Sequence, residues 1–517
     1  MNRNLNIKKL SNKETHWDII IIGGGASGLG AAVDSASRGF KTLLVEKSDF
    51  SKGTSSRSTK LVHGGVRYMQ NGDISLVIEA LKERGVLKKN APHLVKNMSF
   101  VIPSYNWWSN PFYGIGLKIY DMMAGKLGLG KSTILSKEET IKLIPNVKKK
   151  DLVGGVIYHD GQFDDSRMAI SLAITAEKNG ATLLNYFEVK NLTKTNNIID
   201  GIIVKDKITN KVYEIKGKVV INATGVFSDE IMKMDYPQKK KMIKPSQGVH
   251  LVLDQKFLNS HHAILIPHTS DGRVLFAVPW NNYAILGTTD TPLNEIKDEP
   301  VPLKEEIKFI LKNAQTFMKK KPSFSDIKSV FAGLRPLAAE SNQKNTKEIS
   351  RHHKISVSES GLLSILGGKW TTYRKIAEDA INTSISIGGF NERKCITENL
   401  QIHGYQENPN WKDPLHVYGS DANLIKELKM GKGNISLSEK FYITPNQIIW
   451  SLKNEMAIKL DDILARRTRC LFLDAKETVK IAPKVLRIMK VFLKKNVDWE
   501  KKEFSNFVEI SKNYIFS

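Results

Sequence analysis

Cysteine is nearly absent. The 517 residues hold only Cys395 and Cys470, too far apart for a CxxC redox pair or a zinc-ligand spacing. This excludes disulfide scaffolds and thiolate metal sites; a reducing compartment is expected, and no metal. Apolar runs long enough to span a bilayer are missing too, and the polar, Lys- and Asn-rich first sixteen residues have no apolar stretch of the kind a secretory signal carries. If the protein meets a membrane, it is expected to lie on it. No fixed-period repeat or low-complexity tract is found, which excludes solenoids, propellers and extended disorder. Acidic residues are outnumbered, 53 Asp and Glu against 78 Lys and Arg, for a net charge of +25. Such a balance fits an anionic substrate, an anionic membrane surface or nucleic acid. The abundance of Lys, Asn and Ile is equally what an AT-rich genome produces without any partner. No RNA-recognition motif or tight basic cluster interleaved with aromatics is found, so nucleic acid is not expected as a partner.

A chain of this length exceeds one ordinary core, so two or three domains able to bury a large cofactor are expected. From Asp18 it reads DIIIIGGGASGLGAAVDSASRGFKTLLVEK. Four isoleucines predict a short buried strand, and Gly23, Gly25 and Gly28 occupy the GxGxxG positions around Ala26 and Ser27. Gly23 permits the tight turn, Gly25 clears room for a pyrophosphate, and Gly28 lets helix and strand pack closely. A second apolar strand ends in Glu46, eighteen residues beyond Gly28 and followed by Lys47; a carboxylate there can accept ribose hydroxyl protons. The segment KVVINATGVFSDEI, with Thr224 and Gly225 at its turn, repeats the strand–turn–helix logic. Together they predict a dinucleotide-binding fold.

The stretch GTSSRSTKLVHGGVRYMQNGD, Gly53 to Asp73, resembles the block TSSxSSKLIHGGLRYL of FAD-dependent glycerol-3-phosphate dehydrogenases. LGTTD at Leu286–Asp290, AGLRPL at Ala332–Leu337 and LGGKWTTYRKIAEDA at Leu366–Ala380 follow in that family's order. The similarity runs from about Trp17 to Ala380 and continues more weakly through VYGSDA and ARRTR, similar to the family's helical C-terminal domain. The resemblance implies FAD, held by the residues above and by Thr54, Ser55, Ser58, Lys60, Gly64, Gly65, Gly368, Lys369, Thr371 and Thr372; no histidyl or cysteinyl attachment motif is evident, so the FAD is expected to be non-covalent. It implies oxidation of sn-glycerol 3-phosphate to dihydroxyacetone phosphate, with electrons passing to membrane quinone.

A phosphate monoester is recognised best by the planar, multiply donating fork of arginine. The resemblance places Arg67, Arg335 and Lys369, and after them Arg351 and Tyr68, at positions that line the family's substrate pocket, so they are expected on the substrate. Oxidising a secondary alcohol needs hydride transfer from C2 to the flavin while a base takes the hydroxyl proton. The resemblance makes His250 in SQGVHLVL the candidate base, since the family places a histidine after such a Gly/Ser turn at the start of a strand crossing over the flavin, with His63 behind it. In the competing reading His250 only hydrogen-bonds substrate while Arg335 stabilises the forming alkoxide.

The expected fold is α/β: a two-dinucleotide-binding-type FAD domain (17–84, 151–242 and 345–392), an inserted α+β substrate domain (85–150 and 243–344) and a helical C-terminal cap (393–517) that packs rather than carrying chemistry. Aromatics interleaved with lysines between Ser104 and Ser132 suit either an interfacial segment against anionic lipid or core packing. A peripheral protein on the cytoplasmic face of the cell membrane follows from the resemblance, and a homodimer is left open. Rival functions are a glycerol-3-phosphate oxidase reducing oxygen to peroxide, an RNA-binding flavoprotein and an amino-acid oxidase.

Overall fold

The computed structural model describes residues 1–10, 15–65, 73–106, 109–266, 269, 272–338, 353–428 and 433–516. Its first layer is an eight-stranded sheet. Trp17–Ile22 lies at its centre, parallel to Val212–Asn222 on one side and to Thr42–Glu46 on the other, with Thr182–Asn185 beyond and Leu363–Leu366 parallel to Val212–Asn222. Ile19, Ile20 and Ile21 are fully buried, as a parallel strand covered on both faces must be. Burial of each stabilises the fold by roughly 1.5–3 kcal/mol.

One face of this sheet is covered by the helices Ala26–Ser37, Asp165–Lys178 and Tyr373–Gly388, whose buried residues share one core with it. Small residues let the first and third approach closely; a Cβ at Gly30 would lie 2.8 Å from the Tyr373 ring.

The second layer is a ten-stranded mixed sheet in which Ile243–Asp254 pairs antiparallel with both Tyr283–Gly287 and Ile327–Ala338. Gly154–Phe163, which the expected division places in the nucleotide domain, pairs along its whole length with Val95–Ser104 in this second sheet. The short strand Leu61–Val62 joins it there. One face of the sheet packs on the helix Lys304–Phe317. Part of the other side, through Trp280, Tyr283 and Phe331, packs on the C-terminal helices Pro445–Asn454, Ala475–Phe492 and Val497–Lys512. The molecule is thus a dinucleotide-binding α/β layer, a mixed-sheet domain and a helical cap, as expected in class.

Candidate functional site

A cleft opens at the carboxyl ends of the central parallel strands, where open α/β sheets bind ligands. Gly23, Gly25, Ala26, Ser27, Glu46, Lys47, Thr54, Ser55, Thr224, Gly225, Gly368 and Lys369 all line it. Its geometry follows from the local sequence. Gly23 turns at φ +114°, where a Cβ would sit 2.5 Å from the Ala223 carbonyl oxygen. Gly28 lies beneath the cleft wall; its Cβ would be 1.9 Å from the Gly23 oxygen, so only glycine lets helix and strand pack. No side chain caps the helix at Gly25. Instead Ser55 Oγ accepts from the Ala26 N–H at 2.9 Å, bringing the TSS turn over the helix start.

Glu46 is held from both sides: the Gly24 N–H donates to Oε2 at 2.7 Å and the Ser48 N–H to Oε1 at 2.8 Å. Burial pushes its carboxyl above the usual range, and those two donors pull the other way. Lys47 pairs with Asp298 at 2.6 Å and lies 3.6 Å from the centre of the Phe227 ring, closing one wall. At the opposite end the Trp370 indole N–H donates to the Ser55 carbonyl at 2.9 Å, tying the GGKW turn to the TSS turn.

Beside the cleft, Ser246, Gly248 and His250 lie opposite Arg335, Gly333 and Phe331 on paired strands and share one face of the mixed sheet. The His250 ring stacks on Phe331 with centroids 4.7 Å apart, and its Nε2 is 2.9 Å from Thr59 Oγ1. Its Nδ1 is buried with no hydrogen-bond partner among the described residues. Burial first, then the charges of Lys60 and Arg335, push the imidazole well below its ordinary pKa, so it stands neutral. Arg335 lies over Gly248, where a Cβ would meet its guanidinium at 2.5 Å. It donates to the Thr289 carbonyl at 2.9 Å, to Thr288 Oγ1 at 3.2 Å and to Asp290 at 3.2 Å, so LGTTD and AGLRPL are two halves of one structure. Thr54 Oγ1 donates to the Leu334 carbonyl at 2.5 Å, locking the cofactor-side turn to the strand that carries Arg335. A neutral imidazole, a fixed guanidinium and the cleft are thereby adjacent.

Some expected cofactor residues lie elsewhere. Lys60 does not reach the cleft: it is fully buried, and its Nζ donates to Asp165 at 2.7 Å within about 5.5 Å of three aromatic rings. Ser58 is likewise turned to Asp165, through its N–H at 3.0 Å and its hydroxyl at 2.7 Å. Among the described residues, the Gly64 N–H meets the Tyr120 hydroxyl at 2.8 Å, and Gly65, at φ +77°, is not among those lining the cleft. Thr371 accepts from the His63 N–H at 3.2 Å, and Thr372 is buried at the start of the Tyr373–Gly388 helix. Arg67, Tyr68 and Arg351 lie outside the described residues. The cleft also recruits Lys52 and Phe187, which carry no motif signal, and Phe227, Pro336 and Trp370, which fall within recognised segments without being singled out there.

The cap reaches in as well. Asp49, fully buried just past Glu46, is held by Arg466 at 2.5 Å and by Arg467 at 2.7 and 2.9 Å, and Asp165 by Arg469 at 2.9 Å.

A family model described as FAD dependent oxidoreductase matches residues 18–374, and one described as C-terminal domain of alpha-glycerophosphate oxidase matches residues 363–503. The mitochondrial glycerol-3-phosphate dehydrogenase of Schizosaccharomyces pombe is 38% identical over an alignment covering 96% of this chain and 87% of that protein. The human protein of the same name is 35% identical, with 97% and 73% covered. Among solved structures, glycerol-3-phosphate dehydrogenase from Bacillus halodurans complexed with FAD superposes with a TM-score of 0.80 at 28% identity, covering 100% of this chain and 98% of that one. L-alpha-glycerophosphate oxidase from Mycoplasma pneumoniae shares the fold, with a TM-score of 0.58 at 19% identity over 75% of this chain and 98% of that one.

Proposed function

This chain belongs to the family of FAD-dependent oxidoreductases that includes the glycerol-3-phosphate dehydrogenases, and from that premise we propose that it oxidises sn-glycerol 3-phosphate to dihydroxyacetone phosphate and passes the electrons to membrane quinone. The observation that carries the reading is the joining of the cleft to the strand of Arg335 through Thr54, which lines the cleft and donates to the Leu334 carbonyl. In this reading Gly23, Gly25, Ala26 and Ser27 hold a pyrophosphate at the helix start, and Glu46 holds the ribose hydroxyls. FAD, when bound, supplies the two-electron acceptor. His250, neutral and buried, takes the C2 hydroxyl proton, and Arg335 offsets the negative charge that forms on that oxygen. Arg67, Arg351 and Lys369 are assigned to the phosphate.

Among the described residues no helix is long and apolar enough to cross a membrane. One helix face supports peripheral docking: Ile115, Ile119 and Met122 recur at i, i+4 and i+7 on Ser109–Ala124 and are 64%, 47% and 79% exposed. The exposed lysine runs 148–150 and 319–321 are brought side by side by the Val147–Met318 bridge, and the Tyr105 hydroxyl, just before that helix, donates to the Lys148 carbonyl at 3.0 Å. Exposed apolar side chains on one helix and two adjoining lysine runs suit an anionic bilayer on the cytoplasmic side.

The test is anaerobic addition of sn-glycerol 3-phosphate to the flavin-loaded protein. Rapid bleaching reversed faster by a quinone analogue than by oxygen is the expected result. No bleaching would refute the substrate. Faster reversal by oxygen would favour the oxidase reading, for which the match to the alpha-glycerophosphate oxidase C-terminal domain speaks.

A further inference from the structure

The clustering of Asp165, Lys60 and Arg469 behind His250 is used by neither the cofactor cleft nor the substrate assignment. We infer that Thr59 is a positioning residue that orients the His250 imidazole, and that the buried Asp165–Lys60–Arg469 cluster fixes Thr59 in place, so that the helical cap acts on the reacting histidine. The inference rests on the role given to His250 above.

The hydroxyl of Thr59 is the one hydrogen-bond partner that the His250 ring has among the described residues, at 2.9 Å from Nε2. A hydrogen bond to one ring nitrogen fixes the orientation of the imidazole and biases its tautomer; the Thr59 hydroxyl can fill either role, donating to Nε2 or accepting from Nε2–H. Thr59 sits in a three-residue turn whose neighbours are bound to the same carboxylate oxygen. Asp165 Oδ2 accepts from the Ser58 N–H at 3.0 Å, the Ser58 hydroxyl at 2.7 Å and Lys60 Nζ at 2.7 Å. Lys60 takes the left-handed conformation at φ +65°, unfavourable for a side chain of its kind, and its ammonium reaches back to the Ser56 and Ser58 carbonyls at 2.9 and 3.0 Å. The turn is over-determined on both sides of Thr59.

The far side of the cluster belongs to the cap. Arg469 donates to Asp165 Oδ1 at 2.9 Å and to the Ser56 carbonyl at 2.8 Å. Its neighbour Phe472 packs edge-on against Phe331, the ring on which His250 stacks. Burial alone would raise the Asp165 carboxyl, but the charges of Lys60 and Arg469 outweigh it and keep the group ionised. Cap residues therefore support the imidazole from two directions, through the turn and through the aromatic wall.

The experiment uses the full-length, FAD-loaded enzyme with Thr59→Val, Thr59→Ser and Asp165→Asn. In anaerobic single-turnover reduction by sn-glycerol 3-phosphate, Thr59→Val and Asp165→Asn are expected to lower the limiting rate at least tenfold while the substrate dissociation constant changes less than threefold. Thr59→Ser, which restores the hydroxyl, is expected to recover most of the rate. Independently of any substrate, 15N-histidine NMR should show the His250 tautomer of the wild type replaced or mixed in Thr59→Val. A flavin-loaded Thr59→Val with wild-type rate and an unchanged tautomer would overturn the inference; it holds even if Asp165→Asn fails to fold, because Thr59→Val removes no charge and keeps the shape. A wild type that does not reduce its flavin would count against the substrate reading, whereas an unchanged NMR tautomer in Thr59→Val counts against the positioning role alone.

Discussion

Replacing Asp49 by Asn should weaken the cap and the cofactor cleft together. The carboxylate is fully buried and meets Arg466 Nε at 2.5 Å and Arg467 at 2.7 and 2.9 Å. Asn keeps the size but removes the charge and points an N–H donor at a guanidinium. Breaking one side of a buried ion pair costs about 3–5 kcal/mol, because the other charge stays buried. A chain of this length unfolds with an entropy on the order of 1 kcal/mol per kelvin, so the melting temperature should drop by roughly 3–5 °C. The loss should show also in flavin retention, since Glu46, Lys47, Ser48, Ser51 and Lys52 around Asp49 line the cleft.

The pH dependence is a sharper check. Burial would raise the Asp49 carboxyl, but Arg467 and Arg466 hold it below its ordinary value. A depressed folded pKa means its stabilisation is complete above the unfolded value of about 3.9 and is lost as pH falls through the folded one. The gap between wild type and Asp49→Asn should therefore be full at pH 7 and shrink as pH falls below about 4. Differential scanning calorimetry of the holoenzyme at several pH values reads both effects. A gap under 1 °C at neutral pH, with flavin content unchanged, would refute the claim that this carboxylate carries the contact.

Gly28→Ala should fold poorly with FAD, because its methyl would lie 1.9 Å from the Gly23 oxygen and must push the helix start away by more than an ångström; flavin occupancy on purification should fall at least fivefold. Lys60→Met removes one of the two cations, the other being Arg335, that depress His250, so the acid-side inflection of the flavin-reduction rate should move to higher pH, and a move to lower pH would contradict the arrangement. Charges near it from other elements, Asp165, Arg469 and Asp290, are left in place by that change. Met122→Glu combined with Ile115→Glu should reduce sedimentation with anionic vesicles at least tenfold while leaving solution activity intact, since each apolar side chain is worth roughly 1.5–3 kcal/mol when buried. Neutralising the runs at 148–150 and 319–321 should weaken binding to anionic but not to zwitterionic vesicles, by about 1 kcal/mol per lysine.

Which of these residues could be read in advance depends on what each side chain answers to. Gly23, Gly25, Glu46 and Thr224 were legible because their reasons are local: a turn that needs positive φ, a backbone that must stay bare, a carboxylate at a strand end. Lys60 sits in an equally recognisable block, yet its partner is Asp165, one hundred and five positions along the chain, and no spacing announces that pairing. The lysines at 148–150 and 319–321 look scattered until one bridge, Val147 to Met318, puts them side by side. Gly154–Phe163 falls within the span 151–242 expected in the FAD domain, but its register with Val95–Ser104 places it in the second sheet. The same distinction changes the standing of the cap. Arg466 and Arg467 answer to Asp49 under the nucleotide cleft, and Arg469 answers to Asp165 under His250, so one short segment buttresses both halves of the site. Each pair removes two charges from water, at a penalty that packing the cap with apolar side chains would avoid. A cap that only covered the core would have no physical reason to bring three buried arginines to Asp49 beside the cleft and Asp165 behind His250.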